Sequence, residues 1–143
     1  MTPRLSVEDE EERAAAVVRA VGEGLDAFNL AAADLASSRP LVCAAWQQPS
    51  GELVGGAVGR TWGACGELRM LWVDAAHRGR GIGRGLVELV EAQARRRGCA
   101  LLVLDTFSFQ APGFYDRLGY EVAWTVTGFP GGVSRFYLRK ALA

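Results

Sequence analysis

The chain has 143 residues, half of them apolar and 22% charged, and its 16 Lys and Arg balance 16 Asp and Glu to leave no formal net charge. That length suits one domain over residues 1–143, able to take roughly two-thirds of its unfolded surface out of water, and the charge balance argues against a nucleic acid or other polyanion as partner. Apolar runs far short of the ~20 residues that span a bilayer, an acidic N-terminus unlike a targeting peptide, and three cysteines (Cys43, Cys65, Cys99) without paired spacing point away from a membrane and toward reduced thiols in a cytoplasmic protein.

Ser6 followed by Asp9 resembles a capping box, and the acidic run Glu8 to Glu12 suits the first turn of a helix predicted over residues 7–21. Gly22 and Gly24 end or interrupt it, and residues 25–36 form a second helical piece before Ser37-Ser38-Arg39-Pro40 breaks the pattern. Residues 41–47 and 52–61 read as strands joined by the turn Gln48-Pro49-Ser50-Gly51, and residues 67–73, after a turn over 63–66, complete a meander. From Arg84 to Arg97 the helical spacing places Leu86, Leu89, Val90, Gln93, Ala94 and Arg97 on one face, with Glu88, Glu91, Arg95 and Arg96 largely on the other. Gly98 stops that helix. Residues 100–106 are a near-continuous apolar run of the kind buried on both faces, so strand, helix and strand make a right-handed parallel crossover. Pro112 opens and Gly119 closes a short helix over 111–118, and residues 120–127 and 133–139 form a last hairpin across 128–132.

Between the third strand and the long helix stands Arg78-Gly79-Arg80-Gly81-Ile82-Gly83. A strand that turns through such a loop into a helix aims backbone N–H groups and the positive helix end at one point, which suits a phosphate. Glycine lets the backbone approach the ligand and take positive φ. Arg78, Arg80, Arg84, Arg95, Arg96 and Arg97 then form one local positive site, the alternative for the last three being a solvated final turn that complements the helix dipole. Known nucleotide loops do not fit. In the dinucleotide fingerprint the sixth position would be Arg84 or Leu86 instead of glycine, and the Gly-Lys-Ser/Thr ending of a Walker loop is absent.

Arg78, Gly81 and Gly83 match the signature Gln/Arg-x-x-Gly-x-Gly/Ala, and Ala111-Pro112-Gly113-Phe114-Tyr115-Asp116-Arg117-Leu118-Gly119-Tyr120 is similar to the second motif of the same family. On these two motifs, in the right order, the chain resembles the GNAT superfamily of acyl-CoA-dependent N-acetyltransferases over about residues 40–140. The resemblance implies an α/β fold of the mixed α+β kind: a central mixed sheet of about six to seven strands, mostly antiparallel, splayed between strands 4 and 5, with about four helices. It places acetyl-CoA in the gap as co-substrate and requires no metal. The pyrophosphate would be held by Arg78, Gly79, Arg80, Gly81, Ile82, Gly83 and Arg84, the pantetheine arm by the backbone of Leu71, Trp72 and Val73, with Phe114 and Ser108 as further contacts. Ser108 stands where the family often has an asparagine.

Acetyl transfer to an amine needs a deprotonated nucleophile, a polarised thioester carbonyl and a proton for the departing thiolate. The resemblance implies Glu67 as general base, with Asp105 and Asp74 as alternatives, and Tyr115 as general acid, a phenol that stays protonated at neutral pH. A backbone N–H near Val73 would polarise the carbonyl. His77, the single histidine, stands as a surface aromatic beside the CoA phosphates because one histidine makes no zinc site. The acceptor pocket is expected between the N-terminal helices and the last hairpin, with Phe28, Trp62, Phe107, Phe109, Trp124 and Phe129 as linings. The reading is an acyltransferase that moves acetyl from acetyl-CoA to the primary amine of a small molecule by direct attack. The alternatives are a peptide or protein N-acetyltransferase and a non-catalytic acyl-CoA sensor. Exposed hairpin edges are compatible with a homodimer.

Overall fold

The computed structural model describes all 143 residues, in two compact units, Met1–Ala36 and Ser37–Ala143. The first unit carries helix α1 (Glu11–Ala32), on which no residue is buried. It is one helix, not the two expected pieces. A glycine inside a helix costs ~1 kcal/mol relative to alanine but removes no hydrogen bond, so Gly22 and Gly24 weaken α1 without breaking it. Nor does Ser6 cap it. Its hydroxyl donates to Glu8 Oε1 at 2.6 Å, and the helix starts four residues later than expected, after Glu10, which makes no side-chain cap. No helix of the chain is long and apolar enough to cross a membrane.

The second unit runs β1 (Arg39–Gln47), β2 (Glu52–Trp62), β3 (Cys65–Val73), α2 (Ile82–Arg96), β4 (Leu101–Phe107), α3 (Pro112–Arg117), β5 (Glu121–Val126) and β6 (Arg135–Ala141). Its six strands form one sheet in the order β1-β2-β3-β4-β6-β5. Only β3 and β4 are parallel; every other neighbouring pair is antiparallel. The helices number three, not about four, because the N-terminal pair is fused.

The parallel pair is short. Cys65 to Leu68 pair with Leu101 to Leu104, and past Leu68 the two strands part. There β3 carries a bulge: Gly59 of β2 faces Leu68 and Val58 faces Met70, which leaves Arg69 as the extra residue. The rest of β3 bonds only to β2, while Asp105 to Phe107 of β4 bond only to β6. The sheet therefore opens beside Leu71 to Val73, as expected, but between its third and fourth strands instead of strands 4 and 5, because this chain has one strand fewer before the gap. A pair joined by a long crossover can separate at its ends without breaking a hairpin, and β3–β4 is the one pair of that kind.

Helix α2 covers one face of β1, β2 and β3, burying Leu86, Val87, Val90 and Ala94 against Leu41, Ala57, Leu68 and Leu102. Its inward face is turned about one position from the face expected. Leu89 is 54% exposed and Glu91 only 3%. Glu91 lies inside because Lys140 of β6 reaches it with two contacts, Nζ to Oε1 and Nζ to Oε2 (3.1 Å), and the same ammonium sits 5.5 Å from the Tyr120 ring centroid. Removing one partner of a buried ion pair strands the other, whereas removing both does not. Lys140→Met is expected to destabilise the protein by about 2–3 kcal/mol, less than for a fully enclosed pair because the lysine is a quarter exposed, and Glu91→Leu added to it is expected to recover part of the loss in urea titrations.

The arginines at the end of α2 do not join a positive site at the glycine loop. A 15-residue helix separates them from it by about 22 Å. Arg95 Nε donates to Leu142 O at 2.9 Å. Arg97 Nη1 donates to Pro40 O (2.9 Å), Thr61 Oγ1 (3.0 Å) and Arg39 O (3.3 Å), fastening the helix to β1 and β2. On β4, Leu102, Leu104 and Thr106 are buried but Asp105 is exposed, so the strand is covered on both sides only at its start.

Candidate active site

Where β3 and β4 part, a cleft of about 840 Å³ opens. One wall is the freed edge of β3, Leu68 to Val73; the second is the loop and first turn of α2; the third is the end of β4 with α3. Gly81, at φ +82°, is the residue from which α2 departs, a backbone setting that any side chain would strain. The first backbone bond of that turn is Gly85 N–H to Gly81 O at 3.0 Å, and no side chain caps the helix. The N–H groups of Ile82, Gly83 and Arg84 thus have no partner within the helix, and all three residues line the cleft. These donors and the positive helix end face a space also lined by Arg69, Arg78, Arg84 and Arg117, a setting built for an anion.

The loop is held from behind. Arg78 Nε donates to Val73 O at 3.0 Å, which ties it to the last residue of β3. Asp74 accepts from Ala76 N–H at 3.1 Å and pairs with His77 Nδ1 at 2.9 Å, and that pairing holds its carboxyl below the usual range. Asp74 therefore shapes the turn Ala75–His77, and His77 lines the cleft beside Arg78.

Of the residues expected to hold a cofactor, Leu71, Trp72, Val73, Arg78, Gly79, Gly81, Ile82, Gly83, Arg84 and Phe114 line this cleft, and Arg80 and Ser108 do not. Ser108 is taken up by the backbone of Ser134, donating its N–H to Ser134 O (2.8 Å) and accepting Ser134 N–H on its hydroxyl (3.0 Å). The residue that orders the end of β4 is Gln110, whose Oε1 accepts from Phe107 N–H at 2.8 Å and from the Thr106 hydroxyl at 3.2 Å. Arg69 and Arg117 were not expected in the site. Arg117 lies inside the second motif and was legible there; Arg69 enters only through its bulge, which no local pattern announces.

Tyr115 lies on the cleft wall although it is 8% exposed, its ring set edge-on to Phe114 (5.0 Å) and Tyr120 (5.7 Å). Burial pushes its phenol up to about 12, so it holds its proton across the whole working range. Glu67 stands just outside the cleft lining. Its Oε2 accepts from Arg60 Nε at 2.8 Å and lies 3.5 Å from Arg69 Nη2, and the Arg60 hydrogen bond holds its carboxyl below the usual range. Because Glu67 pairs with Val103 in the parallel register, it shares a sheet face with Asp105, two residues further along β4. Asp105 does line the cleft. Phe109 lines it too, with Phe107 stacked behind it (5.3 Å) and Phe129 edge-on to Phe107 (5.5 Å). Trp62 sits by Arg60 at the far end of β2, Trp124 is largely exposed opposite Tyr137, and Phe28 is an exposed residue of α1.

A mixed sheet parted at its one parallel pair, with an uncapped helix N-terminus and a buried tyrosine on the wall of the gap, is the arrangement that the two sequence motifs imply. The chain belongs to the acetyltransferase (GNAT) family, whose model matches residues 7–120. It is 43% identical over 93 residues to the blasticidin-S acetyltransferase of Streptomyces morookaense, a match covering 64% of this chain and 68% of that one. Among solved structures it superposes on an acetyltransferase from Agrobacterium tumefaciens with a TM-score of 0.76, 29% identity and 99% of each chain covered. It also superposes on nourseothricin acetyltransferase with a TM-score of 0.62 and 28% identity, over 77% of this chain and 68% of that one.

Proposed function

We propose that this acetyltransferase uses acetyl-CoA as donor and acetylates the primary amine of a small molecule. The observation that carries the reading is the continuity of the cleft: one space joins the open N–H groups at Ile82 to Arg84, the unpaired edge of β3 and the tyrosine of α3. A diphosphate fits the first, an amide-bearing arm fits the second as an added strand, and a thiol leaving group fits the third. Two relatives whose names specify antibiotics, blasticidin S and nourseothricin, support a small acceptor over a peptide.

In this reading Tyr115 donates its proton to the departing thiolate, and the buried edge of its ring keeps water from that end of the cleft. Glu67 stays anionic at neutral pH and takes the acceptor's proton through a water, since its carboxylate stands back from the cleft and is held by Arg60 and Arg69. Removing Arg60 frees that carboxylate to rise toward its ordinary pKa. In Arg60→Gln the acid limb of kcat/KM is therefore expected to move to higher pH. The same pairing contributes stability that is present above the ordinary glutamate range and is lost as pH falls through the lowered folded value, so the variant is expected to lose less stability on acidification than the wild type.

The test is a thiol-release assay with acetyl-CoA against a panel of small primary amines that includes blasticidin S, beside calorimetry with acetyl-CoA alone. Turnover of a small amine supports the reading. Turnover of peptides alone assigns a peptide acceptor, and tight acetyl-CoA binding without any turnover assigns a sensor.

A further inference from the structure

Asp105 lines the cleft with one of its two carboxylate oxygens engaged by the protein. It is the one carboxylate among the residues that line the cleft, between Leu104 and Thr106 of β4. Arg135 of β6 grips it by one oxygen only: Nε lies 2.9 Å and Nη2 2.8 Å from Oδ2. No protein donor engages Oδ1. The Arg135 guanidinium in turn lies 5.4 Å from the Phe107 ring centroid and 5.1 Å from that of Tyr137, contacts that favour this placement of the pair. Arg135 does not line the cleft, so the group presented to a ligand there is the second carboxylate oxygen.

We propose that the free oxygen of Asp105 binds the acceptor as its ammonium ion, making this a site for a small cationic amine with Phe109 as the apolar surface beside it. The inference rests on the transferase reading above and deepens it by naming the charge state in which the acceptor enters. The other carboxylate of this sheet face near the opening, Glu67, carries two guanidinium partners and stands outside the cleft, while Glu121, further along, is paired with Arg139. Asp105 is thus the carboxylate placed to meet a cation inside the cleft, and it leaves Glu67 to accept the proton once the amine is bound. An anionic acceptor of the same size is repelled there, and a neutral one gains only the weaker hydrogen bond of an uncharged donor.

The experiment takes the amine that the wild type turns over fastest and compares wild type, Asp105→Asn and Asp105→Glu, below the pKa of that amine. Asp105→Asn is expected to raise KM for the amine roughly 10- to 100-fold, the size of a lost charged hydrogen bond, with kcat and the KM for acetyl-CoA within about threefold of wild type. Asp105→Glu is expected to recover part of the amine KM. An unchanged amine KM in Asp105→Asn overturns the inference alone, as does an equal loss toward amine and acetyl-CoA, which marks a structural role. No turnover of any amine by the wild type overturns the transferase reading and this inference with it.

Discussion

Tyr115→Phe is expected to lower kcat by roughly a hundredfold or more while the affinity for acetyl-CoA stays within about twofold of wild type. The ring is what α3 buries: it is edge-on to Phe114 and Tyr120, and phenylalanine keeps those contacts and the volume. Only the hydroxyl goes. If the ring serves packing alone, the variant turns over at the wild-type rate; if the hydroxyl supplies the proton, kcat falls and the rate comes to depend on how good a thiolate leaves. The pH profile separates the two further. Because burial holds the phenol at about 12, the wild type is expected to show no falling limb from Tyr115 below about pH 11, and any falling limb at lower pH belongs to another group. The readings are thiol release for kcat and calorimetry for acetyl-CoA, with a thermal melt to show that the fold is intact.

Gly59→Ala is expected to be the most damaging single methyl that can be added to the sheet, costing about 4 kcal/mol, at the top of what single substitutions reach. A β-carbon built at Gly59 lies 1.9 Å from the Glu67 carbonyl oxygen and 3.0 Å from its carbonyl carbon, and both are backbone that cannot swing aside. That close approach is the bulge itself, where Leu68 and Met70 of β3 face Gly59 and Val58 of β2 with Arg69 between them. The variant must straighten β3 or push it from β2, and either change moves the point where the cleft opens. A urea titration reads the stability, and acetyl-CoA calorimetry on the folded fraction is expected to show weaker binding, because the edge of β3 and Arg69 move together. Gly56→Ala, whose β-carbon would stand 3.3 Å from the Cys43 carbonyl oxygen in the same strand, serves as the milder control.

The parts legible from residues alone were those with local causes. Helix α2 follows from apolar spacing and from glycine at Gly81, whose positive φ starts the helix. The crossover partners β3 and β4 follow from two apolar runs flanking it, and the motif at Ala111 to Tyr120 marks Tyr115 and Phe114, both of which line the cleft. Periodicity missed the true face of α2 because Glu91 counts as polar in any pattern, and only Lys140, 49 residues later, makes it an inward residue. The same limit hid the roles of Arg97, whose partners lie on β1 and β2, and of Ser108, whose hydrogen bonds go to Ser134.

By itself the sequence determined the order of the strands, the glycine loop at the start of α2 and the short helix opened by Pro112, because each rests on neighbours within a few residues and on backbone demands that particular side chains meet. Tertiary structure alone decided between which strands the sheet parts, which carboxylates meet which arginines and which of them reaches the cleft. Those outcomes depend on β6 inserting between β4 and β5 and on a one-residue bulge opposite Gly59, contacts between segments that share no local signal and become neighbours only when the sheet closes around its core.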